Sequence, residues 1–291
     1  MPSLRDIRDR IKSVKNTRKI TRAMKLVAGA KLARATQAAL AAKPYQDTLT
    51  RVLGRVVEGA GDVENPLLTL PENENDVLVV ALSADRGLCG NFNSSVSKST
   101  LIHIRQLQEQ GKNVSVICYG KKTREFLKAR PNIEVVESHI DLDPADYADL
   151  ADALATRLVE DLLADKFSQC FLSFNEYESV MVQNSKFEQI LPMQIDDDAA
   201  EEDAGGAVEY LYEPDGDEIL GKLLPMALRG RILQAFLETQ AGEQAKRMTA
   251  MDAATRNASD LIDSLSLTYN RARQAAITKE LIEIVSGAEA L

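Results

Sequence analysis

Two glycine-containing segments have spacings that could hold a phosphate group. The first runs from Asp85 to Asn91 and reads Asp-Arg-Gly-Leu-Cys-Gly-Asn. It lies between a predicted strand and a predicted helix, which is where doubly wound folds place a phosphate-binding loop. Its spacing is Gly-x-x-Gly, and the third glycine of the Gly-x-Gly-x-x-Gly motif is absent. A tight structural turn or a partner-docking turn is favoured, and a nucleotide site remains the alternative.

The second segment, Gly216 to Leu223, matches the Gly-x4-Gly-Lys part of a P-loop. It ends in Leu223, at the position where a hydroxyl group should bind magnesium. Asp217 and Glu218 inside the loop would repel a phosphate, and no buried strand precedes the segment. We therefore predict no nucleotide site here.

Thiol and metal chemistry have little support. Cys89, Cys118 and Cys170 are widely separated and lack Cys-x-x-Cys spacing, so neither a disulfide framework nor a zinc site is predicted. A nucleophilic Cys89 would need a nearby base, and His103 and His139 are the only histidines in the sequence. We expect no catalytic residue, no cofactor and no metal ion.

The charge distribution is more informative than the net charge of −9. Residues 1–34 contain eleven basic and two acidic side chains, a local charge of +9, so the remainder of the chain carries −18. Residues 196–218 contain eleven acidic side chains and no lysine or arginine. The acidic stretch is typical of a solvated linker, although the run 196–203 could also chelate a divalent ion.

The basic N-terminal segment allows three interpretations. Lysine and arginine favour helices, so the segment could be an ordinary solvated helix face. Nucleic acid would bind such a segment through counterion release, but residues 1–34 contain no aromatic side chain for base stacking. An acidic protein surface is the partner that the composition favours.

The overall composition is that of a water-soluble protein. The chain has 291 residues, of which 45% are hydrophobic, 27% charged and only 5% aromatic, and this predicts one or two domains. No apolar run approaches the roughly 20 residues of a membrane span. The start, Met-Pro-Ser-Leu-Arg-Asp, lacks the apolar core of a signal peptide, so we expect a cytoplasmic protein.

The C-terminal part, Asp217 to about Ser286, is predicted to be one helix. At about 1.5 Å per residue it would be on the order of 100 Å long, too long for a compact domain to enclose. Apolar and small residues recur in it at alternating spacings of three and four, which predicts a coiled-coil seam. The predicted seam positions are Met251, Ala254, Ala258, Leu261, Leu265, Thr268, Ala272 and Ala275.

The N-terminus supplies a second long helix. Ser3 followed by Asp6 predicts its start, and Gly59 and Gly61 predict its end. Pro44 is expected to kink or interrupt it. The apolar stripe is predicted to shift partway along, as at a drift or stutter of the heptad. It comprises Leu4, Ile7, Ile11 and Val14, and then Ile20, Met24, Val27 and Ala30.

Between the two helices, strand and helix patterns alternate, which predicts a mostly parallel sheet with crossover helices. The predicted strands are Val77–Leu82, Val114–Cys118, Ile133–Val136 and Cys170–Phe174, with Val180–Leu191 as an edge strand or hairpin arm. The fold class is α/β, a long antiparallel coiled coil of the terminal helices with an inserted Rossmann-like domain. We divide the chain into a helix at 1–61, an α/β domain at 62–195, an acidic linker and foot at 196–216, and a helix at 217–291.

Four motifs give the chain a resemblance to a known family. They are the basic segment 11–28, the turn Ser83-Ala-Asp-Arg-Gly-Leu-Cys-Gly, the sequence Tyr210-Leu-Tyr-Glu-Pro, and the segment 269–285. Together, and in this order, they resemble the γ subunits of F-type ATP synthases over essentially the whole chain. The resemblance implies a central rotating shaft that couples c-ring rotation to sequential changes at the β-subunit catalytic sites and catalyses no reaction itself.

The resemblance also implies partners and contact residues. The implied partners are the α, β and ε subunits and the c-ring, with no nucleic acid and with the membrane reached only through the complex, at its cytoplasmic face. Arg22, Met24, Lys25, Arg273, Gln274 and Thr278 match family segments that contact β subunits. Tyr210, Tyr212 and Glu213 match the foot on the c-ring.

Two other classes of function remain as alternatives. One is a nucleotide-binding enzyme built on the α/β domain, and the other is a coiled-coil protein that binds nucleic acid through its basic helix. Stable assembly with α and β subunits would favour the rotor. Saturable nucleotide binding by the isolated chain, or salt-sensitive retention of DNA or RNA, would favour the alternatives.

Overall fold

The structure, a computed structural model, describes residues 3–60, 65–71, 75–194 and 216–289. Its helices are α1 (Leu4–Ala60), α2 (Phe92–Glu109), α3 (Lys121–Lys128), α4 (Tyr147–Leu163) and α5 (Gly216–Glu289), with a 3-10 turn at Pro144–Asp146 before α4. Its strands are β1 (Asp76–Leu82), β2 (Asn113–Tyr119), β3 (Glu134–His139), β4 (Gln169–Tyr177) and β5 (Gln183–Leu191). The predicted acidic linker lies outside the described residues.

The chain forms two compact units. The first, which we call the coiled-coil unit, consists of Met1–Gly29 and Arg247–Leu291. The second, the sheet unit, is Ala30–Lys246. Helices α1 and α5 each contribute residues to both units. The four-segment division made from the sequence stays a prediction.

In the coiled-coil unit, α1 and α5 run antiparallel, and polar side chains join them. Arg8 donates to the Tyr269 hydroxyl at 2.7 Å, and Lys25 donates to Asp252 at 2.6 Å. Between these two contacts each helix advances seventeen residues in opposite directions. The Thr21 and Thr255 hydroxyls meet at 2.8 Å within the same register. The predicted antiparallel pairing is therefore confirmed.

The start of α1 is also confirmed. The Ser3 amide donates to the Asp6 carboxylate at 3.0 Å, and the Asp6 amide donates to the Ser3 hydroxyl at 3.2 Å. This reciprocal pair satisfies two amide donors at a helix end that has no intrahelical partners. The acidic side chain also lies at the positive end of the helix dipole.

The predicted shift of the apolar stripe in α1 is wrong. Its more buried positions continue in unbroken steps of four and three: Ile7, Ile11, Val14, Arg18, Thr21, Lys25 and Ala28. Ile20 is 60% exposed and Val27 57% exposed, so both lie outside this seam. Polar side chains occupy the middle of the seam because each finds a partner across the interface, a signal that an apolar pattern does not contain.

The predicted seam of α5 is half correct. Met251 and Ala258 are buried and Leu265 and Ala272 are half-buried, as expected. The alternate seam positions, however, each lie one residue closer to the C-terminus than predicted. Leu261 is 40% exposed, whereas Ile262 is only 6% exposed. A step of three and a step of four lead to the same side of a helix, so spacing alone cannot choose between them. The structure places Thr255, Ile262, Tyr269 and Ala276 where the sequence suggested Ala254, Leu261, Thr268 and Ala275.

The corrected seam of α5 can be tested with two single substitutions. We expect Ile262→Gln to lower the free energy of unfolding by about 2 kcal/mol, because it removes a buried aliphatic side chain. Leu261→Gln introduces the same residue at an exposed position and should change it by less than about 1 kcal/mol. Thermal unfolding of the two purified variants checks this difference. A larger loss of stability for Leu261→Gln would show that Leu261 is the seam residue.

The sheet unit contains a five-stranded sheet with the order β3-β2-β1-β4-β5. Strands β1 to β4 are parallel, and β5 pairs antiparallel to β4 as the expected hairpin arm. All four predicted strands and their crossover helices are present. The apolar run of β1 is continuous because both of its faces are buried. Leu78, Val80 and Leu82 point into one core, and Val77, Val79 and Ala81 point into the other.

The two faces of the sheet are covered by different helices. One core combines the sheet with α4 and with parts of α1 and α5, including Leu53, Leu158 and Leu228. The other lies under α2 and α3 and includes Ile104 and Leu127. This second face also contains buried polar pairs, such as the Thr100 and Ser173 hydroxyls at 2.7 Å. With helices on both faces of its sheet, the sheet unit is a three-layer α/β domain, as the alternation of strands and helices predicted.

The predicted interruption at Pro44 does not occur, because α1 continues through this residue to Ala60. Pro44 is exposed, and so is Leu40, whose carbonyl loses its helical amide partner. Buried residues on either side, such as Ala39 and Leu49, keep the helix packed in the sheet unit. Tertiary packing therefore outweighs the local cost of the proline.

Candidate partner-binding surface

The turn after β1 is held by its own side chains. One Asp85 carboxylate oxygen accepts from the Lys121 amide at 2.8 Å, and the other accepts from the Leu142 amide at 3.2 Å. Ser83 accepts from the Thr123 amide at 3.1 Å. A carboxylate of the chain thus occupies the N-terminus of α3, where a phosphate would otherwise be attracted. The geometry favours a structural turn over a nucleotide site.

Asn93 closes the same turn. Its carbonyl oxygen accepts from the Ala84 amide at 3.0 Å, and its amide donates to the Arg86 carbonyl and to the Cys89 sulfur, both at 3.2 Å. Leu88, at φ 63°, exposes its side chain at the tip of the turn. Sequence reasoning missed Asn93 and Asp85 as the residues that fix this turn, although short polar side chains within three residues of Gly87 and Gly90 were a usable signal.

The thiols are poorly suited to nucleophilic chemistry. Burial raises the pKa of Cys118 to about 12, and burial also raises the pKa of Cys170. Cys89 is buried as well. The thiolate is the reactive form, and the thiols of Cys118 and Cys170 stay protonated at neutral pH. In the described part of the chain no group of three or more His, Cys, Asp or Glu side chains is arranged to hold a metal ion.

The N-terminal part of α1 presents a basic surface that also contains apolar side chains. Its exposed basic residues within the coiled-coil unit are Arg5, Arg8, Arg10, Lys12, Lys15, Lys19 and Arg22. Exposed Ile20, Leu26 and Val27 lie among them. Large apolar side chains left in water between charges are typical of a surface that another protein covers.

The predicted contact residues in this part of α1 differ in their availability. Arg22 is exposed and Met24 is half-buried. Lys25 is bound within the chain to Asp252, which also pairs with Arg256 at 3.0 Å. The hydrogen bond from Lys25, together with the charge of Arg256, lowers the pKa of Asp252. A partner carboxylate would therefore have to compete with Asp252 for Lys25.

The second predicted set lies near the end of α5. Arg273, Gln274 and Thr278 are all exposed, and Gln274 and Thr278 are one helical turn apart on the same face. Exposed apolar side chains surround this set: Ile277, Leu281, Ile282, Ile284 and Val285. The coiled coil thus exposes hydrogen-bond donors beside an apolar helix end.

The structure does not bring the two sets together. The antiparallel register pairs Lys25 with Asp252, so the first set lies level with that part of α5. Arg273 is about twenty residues further along α5, which corresponds to about 30 Å of helix. The two sets could therefore contact partners at two separate levels of the same coiled coil.

Tyr210, Tyr212 and Glu213 lie outside the described residues, so their predicted contact with a c-ring stays a prediction. Among the described helices, none combines the length and apolar character needed to cross a membrane.

These features define a class of protein: an antiparallel coiled coil with an exposed basic and apolar surface, interrupted by a three-layer α/β domain. The family model described as ATP synthase matches residues 3–291. ATP synthase gamma chains of Hyphomonas neptunium and Paracoccus denitrificans are each 46% identical, and that of Brucella abortus is 44% identical. In all three comparisons the match covers 100% of both chains. The chain belongs to the ATP synthase gamma chain family.

Solved structures with a similar fold include the rotor of the Euglena gracilis mitochondrial ATP synthase, with a TM-score of 0.62 and coverage of 94% of this chain and 98% of that one. A central stalk chain of the Tetrahymena thermophila mitochondrial ATP synthase gives a TM-score of 0.58, covering 81% and 99%. Sequence identities are 17% and 18%, so these two structures support the fold.

Proposed function

We propose that this chain is the central rotating shaft of a proton-translocating F-type ATP synthase. Rotation of a c-ring would turn the chain, and the turning coiled coil would drive the β-subunit catalytic sites through their conformations in sequence. The observation that carries the proposal is full-length similarity to ATP synthase gamma chains, together with an antiparallel coiled coil that exposes a basic and apolar surface.

The proposed partners of the coiled coil are the α and β subunits. Its basic surface, which includes Arg22, suits acidic groups on a partner, and exposed Ile20, Leu26 and Val27 suit an apolar sleeve. Near the end of α5, Arg273, Gln274 and Thr278 would donate hydrogen bonds to β subunits. Exposed donors can form and release such bonds as the shaft turns, because neither state leaves them buried and unpaired.

The sheet unit would stay outside the α and β subunits with the ε subunit, and residues around Tyr210, Tyr212 and Glu213 would contact the c-ring. The chain would then be a peripheral subunit at the cytoplasmic face of the membrane. It would not be catalytic itself, since the thiols of Cys118 and Cys170 are protonated and the side chains of Asp85 and Asn93 close the turn after β1. Its effect on catalysis would be conformational, through differential contacts with three sites.

The test is to mix the purified chain with α and β subunits from the same source and to follow complex size and ATPase activity together. We expect one copy to join three of each subunit and multi-site ATPase activity to require its presence. A chain that stays alone while binding nucleotide or nucleic acid would overturn the proposal. In that case the turn at Asp85 or the basic surface of α1 would be the active part.

A further inference from the structure

Residues 216–246 of α5, about two fifths of the helix, belong to the sheet unit and carry a series of buried apolar side chains. Residues with no more than 2% exposure recur along it: Leu220, Leu224, Ala227, Leu228, Ile232, Ala235, Phe236, Ala241 and Ala245. Four of these nine are alanines, which project little beyond the helix backbone. Apolar burial and close packing hold the helix in place, and directional polar contacts add to its resistance to turning about its own axis.

Two arginines on this part of α5 make directional contacts with the rest of the sheet unit. Arg231 donates from two nitrogens to both carboxylate oxygens of Glu188 on β5, at 2.5 Å each. Its guanidinium also lies 5.2 Å from the centroid of the Phe174 ring on β4. Arg229 pairs with Asp152 on α4 at 3.1 Å.

The two arginines point to opposite sides of the helix. They are two residues apart, and successive helical residues are separated by about 100°, so their side chains leave the helix about 200° apart. One pair joins α5 to the sheet edge and the other joins it to α4. Rotation of α5 about its axis in either direction would stretch both pairs.

The pair with Glu188 is the stronger of the two. Two parallel hydrogen bonds fix both distance and orientation, and the Arg231 side chain is only 28% exposed, compared with 49% for Arg229. Burial opposes the charge of Arg231, but the hydrogen bonds to Glu188 and its negative charge outweigh burial, so the pKa of Arg231 is raised. The charged, bidentate form is therefore maintained.

We propose that Arg231, assisted by Arg229, is a positioning residue that locks the rotational orientation of α5 within the sheet unit. Torque applied to the sheet unit then turns α5 with it, and the continuous helix carries that rotation into the coiled-coil unit. This inference rests on the proposed function, because the lock matters only if the chain transmits torque.

The test separates the lock from simple stability. Arg231→Met alone leaves Glu188 unpaired and should lower the melting temperature, because a charge loses its partner. The double variant Arg231→Met with Glu188→Gln removes both charges and should recover most of that loss, since an apolar and a neutral side chain can replace an ion pair at little cost. A structural role alone predicts that the double variant also recovers function.

The matched control is Lys222→Met with Glu218→Gln. This pair also lies on α5, with a distance of 2.7 Å, but both partners are on the same helix, one turn apart. It makes the same change in charge and does not connect α5 to another element. The control should leave all measured properties unchanged.

The measurement uses the complete ATP synthase in membrane vesicles and records ATP hydrolysis and ATP-driven proton pumping against a pre-imposed gradient. For the Arg231 and Glu188 double variant we expect normal assembly and hydrolysis, but about threefold fewer protons pumped per ATP, within the range that substitutions in a coupling network produce. Unchanged pumping per ATP in this variant would overturn the lock. Failure of the unmodified chain to assemble with α and β would instead overturn the proposed function.

Discussion

Replacing Gly120 by alanine is expected to reduce the stability of the sheet unit severely. Gly120 lies between β2 and α3 with φ 108°, a backbone conformation that residues with a Cβ atom rarely adopt. An added Cβ would lie 2.1 Å from the Ser83 carbonyl oxygen and 2.6 Å from its carbonyl carbon. These are backbone atoms of a buried strand end, so they cannot move aside as a flexible side chain could.

The hydrogen bonds around Gly120 make the clash costly to relieve. The Gly120 amide donates to the His139 carbonyl at 2.8 Å, and the Ser83 amide donates to the Tyr119 carbonyl at 2.8 Å. Backbone strain and overpacking each cost about 1–3 kcal/mol, so we expect Gly120→Ala to lower the free energy of unfolding by about 4 kcal/mol. For a domain of this size that corresponds to a fall in melting temperature of about 10 °C.

Gly111→Ala is the control for this prediction. Gly111 also has a positive φ, 83°, but no atom lies within 4 Å of the position of its Cβ. Only the conformational penalty applies, about 1 kcal/mol. Thermal unfolding monitored by circular dichroism distinguishes the two variants. Equal melting temperatures would show that the contact between Gly120 and Ser83 is looser than described.

The sheet could be predicted from the sequence because each buried strand is a short apolar run bounded by turn residues. Val77–Leu82 is buried on both faces, so its pattern is continuous and easily recognised. The hairpin arm β5 has a weaker apolar pattern, since its burial is partial along most of its length. Its direction depends on pairing with β4, which local sequence does not encode.

The seams of the coiled coil were harder to predict, for a physical reason. In α1 the seam passes through Arg18, Thr21 and Lys25, while Ile20 and Val27 face water. Prediction from an apolar pattern rests on the assumption that a helix buries its most hydrophobic face. Helix α1 instead leaves apolar residues exposed on the face opposite its partner helix. That exception is informative, because a surface reserved for a partner is where local rules are expected to fail.

The candidate site was predicted in part. The exposure of Arg22, Arg273, Gln274 and Thr278 suits the contacts that the family resemblance implies. The engagement of Lys25 by Asp252 could not be foreseen, because the two residues are 227 positions apart in the chain. The pairing of Arg231 with Glu188, 43 positions apart, was hidden for the same reason.

Replacing Arg273 and Gln274 together by alanine is expected to reduce coupled turnover much more than assembly. Both side chains are exposed on α5, so their loss leaves no buried cavity in the free chain. If they hold acidic groups of β subunits, two charge-assisted hydrogen bonds are lost, and proton-driven ATP synthesis should fall about tenfold or more. The assembled fraction should change by less than about twofold, because a few side chains dominate a large interface and most contribute little to its affinity.

The control for this pair is Arg105→Ala with Gln106→Ala, which removes the same two residue types from an exposed face of α2 in the sheet unit. Size-exclusion chromatography measures assembly, and ATP synthesis in energised vesicles measures coupling. If ATP synthesis is unchanged in the Arg273 and Gln274 double variant, or if the control reduces it equally, these two residues do not have the assigned role in coupling. A selective loss of synthesis with normal assembly would instead show that these donors act while the shaft turns, because bonds needed only to hold the complex together would reduce assembly first.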